Sequence, residues 1–461
     1  MRDMTQGSVT KHLLHMASFL VLSMLVQTLY LLADLYWVGR LGKEAIAAVG
    51  VAGNLALVVV AITQALSVGT TTLIAQATGQ KDQRRAEIVF NQSLVLSLVI
   101  AVLFGTVAFI LRDEYSRSLS ADALTATLAK QYLLWFVPAL MLQFPLVSLG
   151  AALRATGVIK AAVGLQVLSV VLNMAFAPLL IFGMGPLPVL GVGGAALATF
   201  ISILIANALF IVYYERHYKY LRFRSALLLP KARIWWAMLR IGVPAGAEFA
   251  LLSVYIALVY GIIRQFGAAA QAGFGVGARV MQSMFLPVMA LGFAVAPVVG
   301  QNFGGRKGDR VRQSFYSAFY LSFAVMFLLT LIGQFAGPSL IRAFSADPSV
   351  IAFGSDYLKV ISLNFIAVGI VFTSSSVFQG IGNTVPPLAT SLTRLALFAV
   401  PATLLSRMPG FQIIHVWYLS VVSVFVQACA NLLLLRREFR SKLAFPEPEP
   451  MANLQQGLAG E

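Results

Sequence analysis

Long apolar stretches, separated by short polar connections, occupy most of the chain. Each has about 20 residues or more, the length that an α-helix needs to cross the hydrocarbon core of a bilayer. None alternates between apolar and polar residues as a barrel strand does, and a helix satisfies its own backbone hydrogen bonds in lipid. The pattern therefore predicts an all-α integral membrane protein with twelve spans. They lie near residues 14–39, 46–75, 89–111, 128–152, 162–184, 190–213, 238–263, 271–299, 314–336, 352–378, 386–405 and 412–434.

This pattern repeats after 225 residues. Of the 38 residue pairs that begin with Gly42/Gly267 and end with Gly79/Gly304, 9 are identical, among them glycines and a glutamine. Matched glycines mark helix ends or close helix contacts, so they are more informative than matched alanines or leucines. Two homologous apolar halves with a site between them are typical of transporters, and an even number of spans in each half predicts a parallel repeat.

The spans and the polar segments divide the chain into two six-helix lobes. We predict an N-terminal lobe at residues 1–213, a cytoplasmic linker at 214–233, a C-terminal lobe at 234–440 and a disordered tail at 441–461. The linker interleaves aromatic residues with arginines and lysines, which is typical of a segment lying along anionic lipid headgroups. We therefore expect membrane lipids as partners. The tail contains Pro and Glu, as disordered segments do.

Composition agrees with a membrane environment. Apolar residues make up 59% of the 461 and charged residues 11%, whereas soluble domains have about 25% charged residues. The single cysteine, Cys429, excludes a disulfide framework, and the histidines lack metal-ligand spacing apart from the weak His12/His15 pair. We expect no metal site and no cofactor. The N-terminus does not predict a cleavable signal, because the apolar run after it is too long and lacks a cleavage site.

Lysines and arginines are distributed unequally between the predicted connections. With both termini in the cytoplasm, and with basic residues in the outer parts of spans counted on the nearer side, 22 lie on the cytoplasmic side and 9 on the other side, while Arg279 and Arg394 are counted as intramembrane. This bias predicts an even number of spans with both ends inside. The net charge of +16 then reflects topology, and we expect no nucleic acid as a partner. The chain is expected to be a monomeric, multi-pass protein of the plasma membrane, which is the inner membrane of a bacterium.

The acidic residues Asp34 and Glu248 fall inside predicted spans, at least five residues from either end. A carboxylate in hydrocarbon costs several kcal/mol unless it faces protein or water, so each is a functional candidate. Gln27 and Tyr30 lie seven and four residues before Asp34, on the same helical face. Burial favours the neutral carboxyl, which can exchange a proton, or hold a cation when ionised. The alternative is a hydrogen-bonded packing role, which has more weight for Glu248 because that residue lies nearer the end of its span.

Two arginines, Arg279 and Arg394, also fall inside predicted spans. We favour structural roles for both: Arg279 can extend its charge to the membrane surface or pair with a carbonyl, and Arg394 can hold the C-terminal half together. The glycine-rich stretch at 273–277 has no preceding strand and no lysine, which argues against a nucleotide-binding loop.

Four stretches together resemble the multidrug and toxic compound extrusion (MATE) family, and the similarity covers about residues 10–440. They are Asp34–Gly42; Gln76–Gly79 with Gly300–Gly304; Leu172–Pro178 with Gly193–Thr199; and Gln379–Thr384. The resemblance implies twelve helices in two six-helix lobes, a V-shaped central cavity, and export of small organic, often cationic compounds against an inward flow of H⁺ or Na⁺.

Within that family the chain is closer to the DinF-like branch, which uses acidic residues of the N-terminal lobe. Asp34 matches its helix 1 aspartate, and Asn173 and Thr199 match the polar neighbours on helices 5 and 6. The predicted site residues are Asp34, Asn173 and Thr199 for ion coupling, with Glu248, Gln27 and Tyr30 as secondary coupling or substrate candidates.

Two departures from the family pattern concern the coupling ion. Where the family often has an aspartate four residues after the helix 5 asparagine, this chain has Ala177, and residues 361–376 lack the helix 10 acid of the NorM-like branch. Na⁺ prefers several oxygen ligands with net negative charge, whereas a proton needs one carboxylate. We therefore expect H⁺ as the coupling ion, with Na⁺ as the alternative.

Three other functions remain open from the sequence. A lipid-linked oligosaccharide flippase of the same architecture would need several cavity cations for a pyrophosphate, and we count two intramembrane cations, Arg279 and Arg394. A membrane-embedded enzyme would need clustered catalytic groups at membrane depth, and none is visible, so we expect no enzyme. A receptor or scaffold would act without an ion gradient.

Overall fold

The computed structural model of the chain describes residues 1–183 and 188–444. In these residues the secondary structure is entirely helical, with thirteen α-helices and three single-turn 3₁₀ helices. The α-helices are α1 (Val9–Gly39), α2 (Lys43–Gly79), α3 (Gln83–Leu119), α4 (Ala123–Ala155), α5 (Ile159–Phe182), α6 (Gly191–Arg216), α7 (Ala232–Ile263), α8 (Ala268–Gly304), α9 (Gly308–Arg342), α10 (Pro348–Ile361), α11 (Phe365–Ile381), α12 (Val385–Leu405) and α13 (Ile413–Lys442).

Twelve helical segments are long and apolar enough to cross a membrane. α10 and α11 form one of them, because the 3₁₀ turn Ser362–Asn364 joins them without a break. Each predicted span corresponds to one segment, so the predicted all-α, twelve-span membrane fold is confirmed. Several helices extend beyond the apolar run by a turn or more. Polar caps explain the extension at two N-termini: Asp82 accepts from the backbone N–H of Arg85, and Asp122 from that of Thr125.

The predicted segment boundaries differ from the helix ends by a few residues. α6 continues through Arg216, so the linker between α6 and α7 covers residues 217–231. α13 continues through Lys442, two residues beyond the predicted end of the C-terminal lobe, and Lys442 Nζ pairs with Glu438 one turn earlier, at 2.7 Å. The remainder of the predicted disordered tail, residues 445–461, lies outside the described residues.

The 225-residue repeat extends to the backbone conformation. α2 and α8 each have 37 residues and begin 225 positions apart, after Gly42 and Gly267, which both have positive φ. The turns that follow these helices contain non-glycine residues with positive φ at equivalent positions, Lys81 (60°) and Arg306 (54°). A left-handed conformation is uncommon for non-glycine residues, so its recurrence at the same position of both halves shows that the halves fold alike.

The lobes meet through a reciprocal contact between α2 and α8. A methyl group added to Gly79 would overlap the carbonyl oxygen of Gln301, and one added to Gly304 would overlap the carbonyl oxygen of Gln76. Gly79 and Gly304 are equivalent in the repeat, as are Gln76 and Gln301. A contact in which each partner makes the same approach to the other requires a pseudo-two-fold axis between the lobes, with both loops at the same end of the molecule. We call this end the closed end.

The lobes separate towards the opposite end, which we call the open end. Four positions of α1 at seven-residue spacing, Leu13, Leu20, Gln27 and Asp34, lie near one helical face. Leu13 and Leu20 are buried in an apolar cluster that includes Ala294 of α8, whereas Gln27 is exposed. Within residues 1–183 and 188–444, the side-chain hydrogen bonds between the lobes lie at the closed end. A cleft therefore opens between the lobes on the side that holds Asp34.

The linker is fixed against α3. The side chain of Asn91 donates to the carbonyl oxygen of Arg222, and that of Gln92 to the carbonyl oxygen of Leu227, at 2.9 and 2.6 Å. Arg224 pairs with the buried carboxylate of Glu87 at 2.8 Å. These contacts hold the linker in one conformation on the N-terminal lobe, with most of its cations exposed. Its contact with lipid headgroups stays a prediction.

Candidate functional site

Asp34 lies in the part of α1 nearest the open end, and its side chain is turned into the N-terminal lobe. The residue is 9% exposed. Its Oδ1 atom is buried and has no hydrogen-bond partner among the described residues. A buried polar atom without a partner loses its hydration without compensation, so such an atom in a native fold requires an explanation.

Three of the other predicted site residues form a chain of contacts that begins at Asp34. The side chain of Tyr30 lies within interaction range of both Asp34 and Thr199. The amide nitrogen of Asn173 donates to Thr199 Oγ1 at 2.9 Å, and Thr199 Oγ1 donates to the carbonyl oxygen of Ala195 at 3.1 Å. The structure thus brings together one carboxyl, one phenol, one amide and one hydroxyl from α1, α5 and α6.

A further neighbour, Tyr132 of α4, was not among the predicted site residues. It is 3% exposed and lies within electrostatic range of Asp34 and Tyr30. A tyrosine in an apolar span has no distinctive sequence signal, because its ring packs like any other apolar side chain. Gln27, by contrast, was predicted on the same face as Asp34 but is exposed, and no hydrogen bond of its side chain is found in the described residues.

Asn173 offers a second oxygen without a partner. Its Oδ1 is buried and unpaired in the described part of the chain, as is Asp34 Oδ1. The next turn of α5 carries Ala177, which is 1% exposed and belongs to an apolar cluster with Val38 and Ala195. A methyl group thus occupies the place where the family pattern often has an aspartate, and the site has one carboxylate.

Glu248 belongs to a different cluster, in the C-terminal lobe. Its Oε1 accepts hydrogen bonds from Ser375 of α11 at 3.1 Å and from Ser391 of α12 at 3.3 Å. Gln427 of α13 donates to Ser391 Oγ at 2.9 Å and so extends the cluster to a fourth helix. Glu248 is therefore a hydrogen-bonded carboxylate that links α7 to its neighbours, and a role for it in coupling stays a prediction.

Arg394 joins this second cluster. Its guanidinium group lies over the ring of Tyr255, 5.1 Å from the centroid, and within electrostatic range of Glu248. The hydroxyl of Tyr255 is 2.9 Å from Ser420 Oγ. Arg394 therefore connects α12 to α7, in agreement with the structural role favoured for it. Its proximity to Glu248, 146 residues earlier, could not be predicted from the sequence.

Comparison of the two lobes distinguishes the two carboxylates. Tyr30 and Tyr255 are equivalent in the repeat, but the position of Asp34 is taken in the C-terminal lobe by Val259, which is fully buried. The carboxylate of Glu248 has two hydroxyl donors and a nearby cation, whereas Asp34 Oδ1 has no donor in the described structure. The Asp34 site is thus the one whose hydrogen bonding is incomplete.

The MatE family model matches residues 20–179 and 244–405, one stretch in each lobe. The chain belongs to the MatE family. The two matched stretches begin 224 residues apart, in agreement with the 225-residue repeat. Members of the MatE family are transporters and not enzymes, so the predicted absence of an enzyme activity is confirmed at the level of the family. Assignment to its DinF-like branch stays a prediction.

Several MatE proteins are similar to this chain over most of its length. A protein of Bacillus subtilis named "Probable multidrug resistance protein YpnP" is 28% identical, with 87% of this chain and 89% of the relative covered. A protein of Shewanella oneidensis named "FAD transporter" is 27% identical, over 80% and 82%. A solved structure described as the outward-facing conformation of a multidrug resistance MATE family transporter superposes with a TM-score of 0.88, at 23% identity and 96% and 98% coverage. That likeness concerns the fold.

Proposed function

We propose that the protein is a cation-coupled antiporter that exports amphipathic, often cationic organic compounds, with H⁺ as the driving ion and Asp34 as its carrier. Membership of the MatE family and the multidrug names of relatives support export of drug-like compounds. The ion assignment rests on the buried Asp34 carboxyl, whose Oδ1 lacks a donor within the described residues. A proton bound to this group would neutralise a charge that is costly to bury at membrane depth.

The oxygen atoms around Asp34 support a proton better than Na⁺. Thr199 Oγ1 already accepts from Asn173 and donates to Ala195, which leaves Asn173 Oδ1 as the neutral oxygen without a partner. A hard cation prefers several oxygens with more negative charge. Because Ala177 supplies none, a Na⁺ site here would need water or backbone carbonyls to complete it.

Coupling would follow from competition at Asp34. The ionised carboxylate favours a conformation in which cleft water or a cationic substrate reaches it, and the neutral carboxyl tolerates a dry surrounding. Proton binding would therefore release a cationic substrate and favour the other conformation. Reversing a two-state balance completely takes about 5.5 kcal/mol of differential binding, so we expect one proton to shift the balance partially.

We also propose that the closed end faces the cytoplasm of a cell whose plasma membrane holds the protein. The turns at the closed end carry Lys81, Arg306 and Lys307, and the first turn of α3 carries Arg84 and Arg85, in agreement with the positive-inside rule. The described conformation would then open to the outside, and both termini would lie inside.

A second candidate substrate class is an anionic, aromatic dinucleotide such as FAD, the substrate named for the Shewanella relative. The observation that favours it is Arg279, which is exposed on α8 and has no acidic partner in the described residues. Three heptads separate Arg279 from Gly300, which contacts Ala75 of α2, so Arg279 lies near the α8 face turned to the other lobe. Arginine binds phosphate well, and a flippase for a pyrophosphate-linked lipid would use the same property.

Transport by the purified protein in liposomes tests the proposal. In Na⁺-free buffer, ethidium added outside should enter the lumen in exchange for protons and raise the luminal pH, which a trapped dye reports. Ethidium entry without a change of luminal pH would contradict proton coupling, and the absence of ethidium entry would contradict drug transport. FAD uptake that Arg279→Gln reduces, with ethidium uptake unchanged, would establish the second substrate class.

A further inference from the structure

Residues 2–5, here called the strap, precede α1 and lie between the two lobes at the closed end. The backbone N–H of Arg2 donates to the carbonyl oxygen of Thr156, at the end of α4, at 2.9 Å. The backbone N–H of Met4 donates to Gln301 Oε1 at 2.9 Å, and its carbonyl oxygen accepts from Asn302 Nδ2 at 3.2 Å. The strap is therefore bonded to the N-terminal lobe at one residue and to the C-terminal lobe two residues later.

The fit of the strap extends to side chains. Met4 is fully buried in an apolar cluster with Leu13 of α1, Val298 of α8 and Phe315 of α9. Lys307 Nζ donates to the carbonyl oxygen of Thr5 at 2.8 Å and to the hydroxyl of Thr5 at 3.2 Å. Buried apolar area and charge-assisted hydrogen bonds both stabilise the bound strap.

The strap also breaks the symmetry of the junction between the lobes. On one side, Gln76 Nε2 donates to the carbonyl oxygens of Gly380 and Ile381, at 3.0 Å each. On the equivalent side, Gln301 Nε2 donates to the carbonyl oxygen of Ala155 at 2.9 Å. In the 225-residue repeat, Ala155 is equivalent to Gly380. Thr156 corresponds to Ile381, and its carbonyl oxygen is bonded to the strap instead.

One side of the junction is therefore closed by direct contact between the lobes, and the equivalent side is closed through the strap. Gln76 reaches across the lobes to both carbonyl groups by itself, whereas Gln301 reaches one and uses its Oε1 to hold Met4. Opening the closed end must break the strap's bonds to one lobe or to the other, because they span the gap that has to widen.

We propose that the strap is a conformational lock that holds the closed end shut and must leave one lobe before the cleft can open on that side. This goes beyond the transport reaction, and it rests on the proposed function only in assuming that the two ends open alternately. The strap leads through Gly7, which has positive φ, into α1. α1 contains no proline and no interior glycine between Val9 and Asp34, so a movement at Asp34 can reach the strap along an unbroken helix.

Distances between spin labels at the closed end test the lock without reference to transport. Labels at Arg84→Cys and Asp309→Cys, in a Cys429→Ser background, occupy equivalent exposed positions of the two lobes. Deletion of residues 2–5 should raise the ratio of long to short label distances by at least about tenfold, the effect of losing two net hydrogen bonds between the lobes, to which the lost burial of Met4 adds. The same deletion in an Asp34→Asn background should show the same shift, so failure of proton coupling and failure of the lock are distinguishable.

Gln6→Ala is the matched control, because Gln6 is exposed and its side chain has no hydrogen bond in the described structure. It should leave the label distances unchanged. If the deletion prevents folding, Met4→Ala keeps the backbone bonds, removes the buried side chain and should give a smaller shift in the same direction. A folded, monodisperse deletion variant with the distance distribution of the parent protein would overturn the proposal.

Discussion

At the scale of single residues, two carboxylates at membrane depth have different surroundings and different expected roles. Glu248 accepts two hydroxyl hydrogen bonds and lies near Arg394, so its charge is compensated in the described conformation. Asp34 is 9% exposed, and its Oδ1 has no donor within the described part of the chain. A carboxylate whose buried charge is incompletely compensated is the better candidate for the group that binds and releases a proton, and here that carboxylate is Asp34.

Asp34→Asn should abolish proton-driven ethidium transport and leave the protein folded and inserted. The amide has nearly the same size as the carboxyl but cannot titrate, so transport in liposomes should fall to the level of empty vesicles. Glu248→Gln is the matched control and should keep a substantial part of the activity, since its serine partners can still donate to the amide oxygen. Wild-type transport by a well-folded Asp34→Asn protein would contradict the role of Asp34 as the proton carrier. Complete loss of transport in Glu248→Gln would show that Glu248 is as important for coupling as Asp34.

Ala177→Asp should give the site a second carboxyl, one helical turn from Asn173. In Na⁺-free buffer we expect a loss of roughly 2–4 kcal/mol of stability, because the position is 1% exposed and apolar. Na⁺ should recover part of this loss, since a bound ion stabilises the folded state, and thermal unfolding with and without Na⁺ measures it. Ala177→Asn is the neutral control. Equal Na⁺ dependence of the two variants would contradict the view that the missing carboxylate decides the ion.

Several site residues were predictable one by one, but their arrangement was not. Asp34 stood out because a carboxylate in a span needs a reason, and Gln27 and Tyr30 followed from helical spacing. Asn173 and Thr199 came from the family resemblance, and their 2.9 Å hydrogen bond agrees with it. Tyr132 gave no signal, and the proximity of Arg394 to Glu248 depends on packing between helices far apart in the chain.

At the scale of elements, α2 and α8 form the contact on which closure of one end depends. Their glycines allow the backbones to approach so closely that a single methyl group would overlap a carbonyl of the other lobe. The sequence predicted such contacts from matched glycines. The full length of either helix was not predictable, because hydropathy marks the hydrocarbon core, whereas α2 and α8 continue for several residues beyond it at both ends.

Gly79→Ala should destabilise the closed end by about 1–3 kcal/mol, the usual cost of forcing a methyl group into a filled contact. The junction should open more often, and labels at Arg84→Cys and Asp309→Cys would report it as longer distances. Gly53→Ala in the same helix is the control, because nothing lies within 4 Å of a methyl group at that position. A Gly79→Ala protein with unchanged distances would mean that the junction tolerates the methyl group without opening.

At the scale of the whole molecule, the repeat predicted a parallel arrangement of the lobes, and the reciprocal contact between α2 and α8 places both loops at one end. The side of the membrane that this end faces follows from charge alone and stays a prediction.

Single cysteines can test the orientation. In a Cys429→Ser background, cysteines at Lys81 and Arg306 should be protected from an impermeant maleimide added to intact cells. Cysteines at Lys43 and Ala268, which are exposed near the opposite ends of α2 and α8, should react and serve as controls. Labelling of Lys81→Cys and Arg306→Cys from opposite faces would refute the parallel arrangement, and labelling of both from outside would invert the orientation.

Proton coupling through Asp34 is tested most directly by transport of ethidium by the wild-type protein under one ion gradient at a time. With a pH gradient in Na⁺-free buffer, ethidium should accumulate in liposomes, and a protonophore should abolish the accumulation. With a Na⁺ gradient at uniform pH, accumulation should stay at the level of empty liposomes. Accumulation on the Na⁺ gradient alone, with none on the pH gradient, would contradict proton coupling through Asp34 and require further oxygens beside Asn173 to complete a Na⁺ site.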